Sequence, residues 1–164
     1  MSATPEPQGR IVLVRHGETA WSRSGQHTGL TDMALTPHGE RDARALAPLL
    51  EPFDLVHVLS SPLVRARRTA ELAGLAPTID ADLAEWDYGG YEGRTTVQIR
   101  EDLGDPSWTV FDHGVVPGDT PGETVEEVAA RASRVLARVT PSLAAGDVAL
   151  VAHGHLLRIL TATW

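Results

Sequence analysis

The sequence predicts a three-layer α/β sandwich with a mainly parallel central sheet. Short apolar, β-branched runs alternate with stretches of helical periodicity, and two of those runs end in a histidine–glycine pair. A continuous apolar run bounded by a glycine turn is the pattern of a strand buried on both faces, as parallel strands are.

Taken in order, Met1–Gly9 is polar, contains proline and lacks the apolar centre of a secretory signal, so a disordered leader is expected there. One domain is expected over residues 10–164, without linker or internal repeat. Arg10 to Val14 (RIVLV) is the first strand, and Arg15-His16-Gly17 is its exit loop. Thr36 caps and Pro37 opens a helix with Ala43, Leu46, Ala47 and Leu50 as its apolar positions. Asp54 to Leu59 is a second strand, and Ser60-Ser61-Pro62 turns into a helix running through Val64, Ala66, Thr69 and Leu72 to a stop at Gly74.

From Asp80 to Asp119 the periodicity dissolves, with glycines such as Gly89, Gly90 and Gly93 set among Trp86, Tyr88, Tyr91, Trp108 and Phe111. An irregular stretch this long in a compact domain marks a lid or binding loop. Thr120, Pro121 and Glu123 suit a first helical turn, after which Val125, Val128, Ala132, Val135 and Val139 keep helical spacing. Gly146-Asp147 leads into the last strand, Val148 to Ala152, which ends in His153-Gly154; a final helix follows, and the chain ends at Trp164.

At 164 residues the chain is the size of one domain, long enough to bury roughly two-thirds of the surface its unfolded form exposes. It contains no cysteine, which removes disulfides, thiolate metal sites and thiol nucleophiles. That composition fits a reducing cytoplasm, and no apolar stretch is longer than a strand. The net charge of −8 repels nucleic acid and anionic membrane alike. An anionic small molecule is still a suitable partner, provided that the fold gathers positive charge locally.

The two His-Gly pairs supply that gathering point. Ligands of open α/β sheets bind outside the carboxyl ends of the strands. His16 and His153 leave two strands at that edge, Arg15 adjoins one of them, and Arg65 lies one turn into the helix after the second strand. Such a pocket suits a phosphate dianion, which arginine holds with paired hydrogen bonds. A neutral imidazole is also a competent nucleophile toward phosphorus, and a protonated His153 beside two guanidiniums supplies charge without a metal. The leaving alkoxide needs an acid; Glu18, Glu85 and Glu92 are all near these motifs, and the residues alone do not choose among them.

Five blocks in order resemble the signature of the histidine phosphatase superfamily, which includes the cofactor-dependent phosphoglycerate mutases. They are Arg15-His16-Gly17-Glu18-Thr19, Ser60 to Ala66 with Thr69-Ala70, Glu85 through Glu92-Gly93, Pro121-Gly122-Glu123-Thr124, and His153-Gly154. The resemblance implies a phosphoglycerate mutase-like fold, His16 as phosphohistidine nucleophile, Glu85 as proton donor, and Arg15, Arg65 and His153 as phosphate ligands, with Thr28 and Gly29 beside them. Ser22 stands where members often have asparagine, which leaves one phosphate contact open. Trp21-Ser22, Ser24 to Gly29 and Glu85 to Gly89 resemble the branch of sedoheptulose-bisphosphatase-type and actinobacterial acid phosphatases. Such proteins continue further beyond the position of His153; either a C-terminal segment is missing here or the fold has one element fewer.

The expected function is therefore metal-independent and cofactor-free hydrolysis of a small phosphorylated metabolite, a sugar phosphate or bisphosphate first. The alternatives are mutase-type phosphoryl transfer and a non-catalytic phosphate-binding module. A mutase needs extra basic residues for a second phosphate, and the stretch between Glu85 and Thr120 has only Arg94 and Arg100 among several acids. The substrate-binding set expected beside the phosphate ligands is Ser22, Thr28, Gly29, Gly154, Trp86 and Tyr88. Trp86, Tyr88 and Trp108 fit both substrate recognition and plain loop packing. His153 and His155 lack a third ligand at metal-binding spacing.

Overall fold

The computed structural model describes residues 9–164. Of the expected leader, residues 1–8 lie outside the described residues, while Gly9 donates its N–H to the Leu143 carbonyl at 2.9 Å. Four strands, β1 (Ile11–Arg15), β2 (Leu55–Ser60), β3 (Thr78–Ile79) and β4 (Asp147–Ala152), form a sheet in the order β1-β4-β2-β3, and every pairing is parallel.

Every residue of β4 is buried, which explains why its sequence is continuously apolar after Asp147. Its side chains alternate between two cores, as the period of a strand requires. Val148, Leu150 and Ala152 join a cluster with Leu83, Trp108 and Val135, while Val151 packs with Val14, Leu50 and Ala66. Full burial of a side chain such as Leu150 stabilises the fold by about 1.5–3 kcal/mol. Helices α2 (Pro37–Ala45), α3 (Ala47–Leu50) and α4 (Val64–Leu72) cover the second core; α7 (Val125–Val139) and α8 (Gly154–Thr163) cover the first. The three-layer sandwich is as expected.

Local chemistry corrects several boundaries. The single helix expected from Pro37 to Leu50 breaks at Leu46, whose N–H turns back to the Ala43 carbonyl, because Pro48 has no N–H to continue the ladder. The helix expected from Thr120 starts at Val125 instead. Gly122, at φ +76°, keeps the Pro121–Glu123 segment out of helical geometry, and Thr124 with Glu127 forms a reciprocal capping box. The irregular stretch after Asp80 holds a 3₁₀ turn (Ala81–Leu83), α5 (Thr96–Leu103) and α6 (Val110–His113). The Thr95/Gln98 box and the left-handed Gly104 delimit α5. A short α1 (Ala20–Ser24) and the two-residue β3 were also not expected. Among the described residues, no helix is long and apolar enough to cross a membrane.

Candidate active site

Strand register sets the site. Arg15 pairs with Ala152, so His16 and His153 leave adjacent strands side by side, with ring centroids 5.1 Å apart. Ser60 pairs with Val151, and Ser61 emerges on the other flank of β4. The loop after β1 is pinned by the Gly17 N–H to the Thr69 hydroxyl at 2.9 Å. A side chain at Gly17 would place its Cβ 2.5 Å from the Gly39 carbonyl oxygen, so the loop approaches α2 only as glycine.

His16 is oriented by its own turn: Nδ1 lies 2.7 Å from the Gly17 carbonyl and donates to it. That fixes the tautomer and leaves the lone pair on Nε2. Burial, together with the cations Arg65 and Arg15, lowers the imidazole pKa to about 4 against the opposing bond to Gly17. The ring is therefore neutral at neutral pH.

Beneath it lies a closed polar knot. Arg65 is fully buried; its Nε donates to His153 Nδ1 at 3.2 Å, and its remaining nitrogens donate to the carbonyls of Thr31, Thr28 and Gly29 at 2.8–3.0 Å. Since Nδ1 of His153 accepts from a guanidinium, Nε2 carries the proton and donates to the Ser61 hydroxyl at 2.7 Å. Burial and the neighbouring cations push His153 well below the ordinary histidine range. The expectation of a protonated His153 is thus corrected: the ring is neutral, because a second positive charge against Arg65 in a buried site is strongly disfavoured.

A cavity of about 260 Å³ opens above His16, with Arg15, Glu85, Tyr88, Gly154, His155 and Arg158 along its walls. Ser22 and Thr28 border it as well. Four expected contact residues do not. Arg65 and His153 lie behind His16, fully buried. Gly29 gives its N–H to the Glu92 carboxylate and its carbonyl to Arg65, and a Cβ there would sit 2.4 Å from the Trp86 carbonyl oxygen. Trp86 is fully buried, stacks on Tyr88, meets Phe111 edge-on and donates its indole N–H to the Glu123 carbonyl. For Gly29 and Trp86 the substrate-contact expectation is corrected to packing. Trp108 is likewise buried, against Tyr91, whereas Tyr88 reaches the cavity. The Ser22 hydroxyl commits its proton to the Thr19 carbonyl and accepts from the Thr19 N–H, closing a capping box on α1.

The geometry also separates the three carboxylates. Glu18 accepts from the Thr36 hydroxyl at 2.7 Å, and Glu92 accepts from the Gly29 and Thr31 N–H groups. Glu85 alone of the three borders the 260 Å³ cavity. Its oxygens accept from the N–H groups of Trp86, His155 and Leu156, the last two in the N-terminal turn of α8, whose N–H groups have no partner within the helix. Burial nevertheless raises its pKa, outweighing those bonds and the Arg65 charge.

The backbone around Glu85 is tied to α7. Arg131 donates to the carbonyls of Asp82, Ala84 and Glu85 at 2.6–3.1 Å and pairs twice with Glu123 at 2.8 Å. Glu123 also accepts from the Asp87 N–H. Sequence reasoning missed Arg131, His155 and Arg158. The last two share a face of α8 at i, i+3 spacing, which was readable; Arg131 carries no local signal.

This geometry can be set beside known proteins. The sequence profile of the histidine phosphatase superfamily (branch 1) matches residues 11–164. The chain belongs to that superfamily. This phosphatase is 43% identical over 158 residues to an acid phosphatase of Mycobacterium tuberculosis, covering 94% of this chain and 75% of the relative. It is 35% identical over 185 residues to the sedoheptulose 1,7-bisphosphatase of Saccharomyces cerevisiae, covering 94% and 67%. A solved structure of an open reading frame from M. tuberculosis superposes with a TM-score of 0.86 at 42% identity, covering 95% of the phosphatase and 79% of that chain. The phosphoglycerate mutase-like sandwich expected from sequence is thereby shown, and the phosphatase is a hydrolytic enzyme of this family.

Proposed function

We propose that the chain hydrolyses a small phosphorylated metabolite, a sugar phosphate or bisphosphate, through a phosphohistidine on His16. The observation that carries this reading is His16 itself: a neutral ring, its tautomer held by Gly17, with Nε2 free beside Arg15 and Glu85. In the first step the Nε2 lone pair forms the N–P bond while the ester P–O bond breaks, and Glu85 gives its proton to the leaving oxygen. In the second, Glu85 takes a proton from water, the water oxygen attacks phosphorus, the N–P bond breaks and orthophosphate leaves. Arg15 holds phosphoryl oxygens from the cavity wall, while Arg65 contributes positive charge from below and His153 braces the nucleophile.

The names of the two relatives support a phosphatase on sugar phosphates. Residues 10–164 are read as one histidine phosphatase domain. The acidic surface supports small-molecule partners rather than nucleic acid or anionic membrane, and a cytoplasmic location accords with the absence of cysteine.

Rapid quenching during turnover of an aryl phosphate, followed by peptide mapping of acid-labile phosphate, tests the mechanism. Phosphate on the peptide containing His16 is expected, and His16→Ala is expected to abolish turnover. Undiminished hydrolysis by His16→Ala overturns it.

A further inference from the structure

The nucleophile is held at three points. The His16 N–H donates to the Ala152 carbonyl at 3.0 Å, at the end of the β1–β4 ladder. The ring Nδ1 donates to the Gly17 carbonyl, and the Gly17 N–H donates to the Thr69 hydroxyl at 2.9 Å. The first hold comes from the sheet and the second from the turn itself. The third comes from α4, 52 residues along the chain.

Thr69 is fully buried on the face of α4 that also carries Arg65, one turn back. Its hydroxyl donates to the Arg65 carbonyl at 2.7 Å. A hydroxyl has one proton and a carbonyl can only accept, so Thr69 turns a lone pair toward Gly17. The direction of both bonds is thereby fixed. Thr140 and Thr161 likewise donate to carbonyls four residues back, those of Leu136 and Leu157, at 2.7 and 2.8 Å. That is common behaviour for threonine in or beside a helix. Thr69 adds to it a tie to the loop that carries the nucleophile.

The other side of that loop lies against α2, where a Cβ on Gly17 would meet the Gly39 carbonyl oxygen. Without the Thr69 hydroxyl, the Gly17 N–H loses its acceptor in a packed loop, and the peptide must turn to find another. Glycine resists such turning least of all residues. The turn carries the Gly17 carbonyl away from Nδ1, and the ring then loses the bond that fixes its tautomer.

We propose that Thr69 is a positioning residue for the nucleophile: its hydroxyl holds the Gly17 peptide, which holds the His16 ring with Nδ1 protonated and the Nε2 lone pair free. This rests on the phosphatase reading above and adds to it a residue that does not line the cavity. Because the same hydroxyl bonds the Arg65 carbonyl, one side chain sets the nucleophile and the helix bearing the guanidinium together.

The test compares Thr69→Val, which keeps the shape and removes the hydroxyl, with Thr69→Ser, which keeps the hydroxyl. Stopped-flow release of dinitrophenolate from 2,4-dinitrophenyl phosphate reads phosphohistidine formation without any need for an acid. Thr69→Val is expected to slow that burst about a hundredfold, while the substrate concentration that half-saturates it changes less than about threefold. Thr69→Ser is expected to stay within about threefold of the unmodified rate. Thr140→Val, which loses only the bond to the carbonyl four residues back, is expected to leave the rate unchanged. Nitrogen NMR of the His16 ring at neutral pH supplies a readout that lost stability alone does not move. The unmodified enzyme and Thr69→Ser are expected to show the proton on Nδ1, and Thr69→Val a mixture of tautomers.

A Thr69→Val burst within about threefold of the unmodified rate overturns the role and leaves the phosphatase reading intact. So does an unchanged His16 tautomer in that variant. Equal slowing in Thr69→Val and Thr69→Ser also overturns it, because the methyl group's packing then accounts for the loss. If Thr69→Val does not fold, Thr69→Ala is read against the same outcomes. Release of dinitrophenolate by the unmodified enzyme without phosphohistidine overturns the phosphatase reading and the positioning role with it.

Discussion

Arg65 donates from Nε to Nδ1 of His153 at 3.2 Å, and this one bond decides that the second histidine of the site is neutral. It also explains the full burial of an arginine at the start of α4. The guanidinium replaces its water shell with His153 and the carbonyls of Thr28, Gly29 and Thr31.

Removing that guanidinium leaves buried acceptors without donors. Arg65→Met is expected to destabilise the fold by about 3–5 kcal/mol, and urea unfolding monitored by tryptophan fluorescence measures it. A loss below about 1 kcal/mol contradicts the arrangement.

Glu85 serves both steps of the proposed cycle, so its neutral isostere separates substrates by leaving group. Glu85→Gln is expected to slow hydrolysis of an alkyl phosphate by roughly 10²–10⁴-fold. With 2,4-dinitrophenyl phosphate, whose leaving group needs no proton, phosphohistidine is expected to form rapidly and accumulate. Stopped-flow release of dinitrophenolate followed by acid-labile phosphate analysis reads both. Equal slowing with both leaving groups refutes Glu85 as the acid.

Arg131 touches no cavity atom but holds three carbonyls leading to Glu85. Glu123→Gln, which weakens that clamp at one end, is expected to reduce kcat for alkyl phosphates about tenfold to a hundredfold. The reduction for dinitrophenyl phosphate in the burst phase is expected to be smaller. A uniform loss for both substrates assigns Arg131 to stability alone.

Three histidines of the site titrate below their unfolded value: His16 and His155 at about 4, and His153, by burial and the neighbouring Arg65, well below the ordinary histidine range. Between about pH 6.5 and 4 the unfolded chain therefore binds more protons than the folded one. Stability is full above 6.5 and falls as the pH drops, by up to about 1.4 kcal/mol per pH unit for each histidine. Urea midpoints from pH 7 to 4 are expected to decline, and His155→Phe to decline less steeply. A flat profile over that window contradicts neutral burial of these rings.

The strand endings were legible because chemistry and geometry coincide there. A continuous apolar run ending in His-Gly is both a buried parallel strand and a site at its carboxyl end. Helix α5 was less legible, because its eight residues lack a strong apolar stripe and the glycines around it dominate the pattern. Its capping box at Thr95 and Gln98 was a signal present in the chain and overlooked.

The sequence by itself determined the sandwich, the edge at which the site forms, and the presence of His16 and Arg15 there; among Glu18, Glu85 and Glu92 it was the fold that brought Glu85 to the cavity with them. Periodicity and strand ends are local properties, and residue order carries them directly. Only the tertiary structure decided what each side chain does there. It turned Arg65 and His153 inward into a saturated hydrogen-bond knot, withdrew Gly29 and Trp86 into packing, and brought His155 and Arg158 of α8 to the same cavity as His16. Tautomers, burial and the partners of a guanidinium depend on atoms distant in the chain, so they exist only once the strands have found their register.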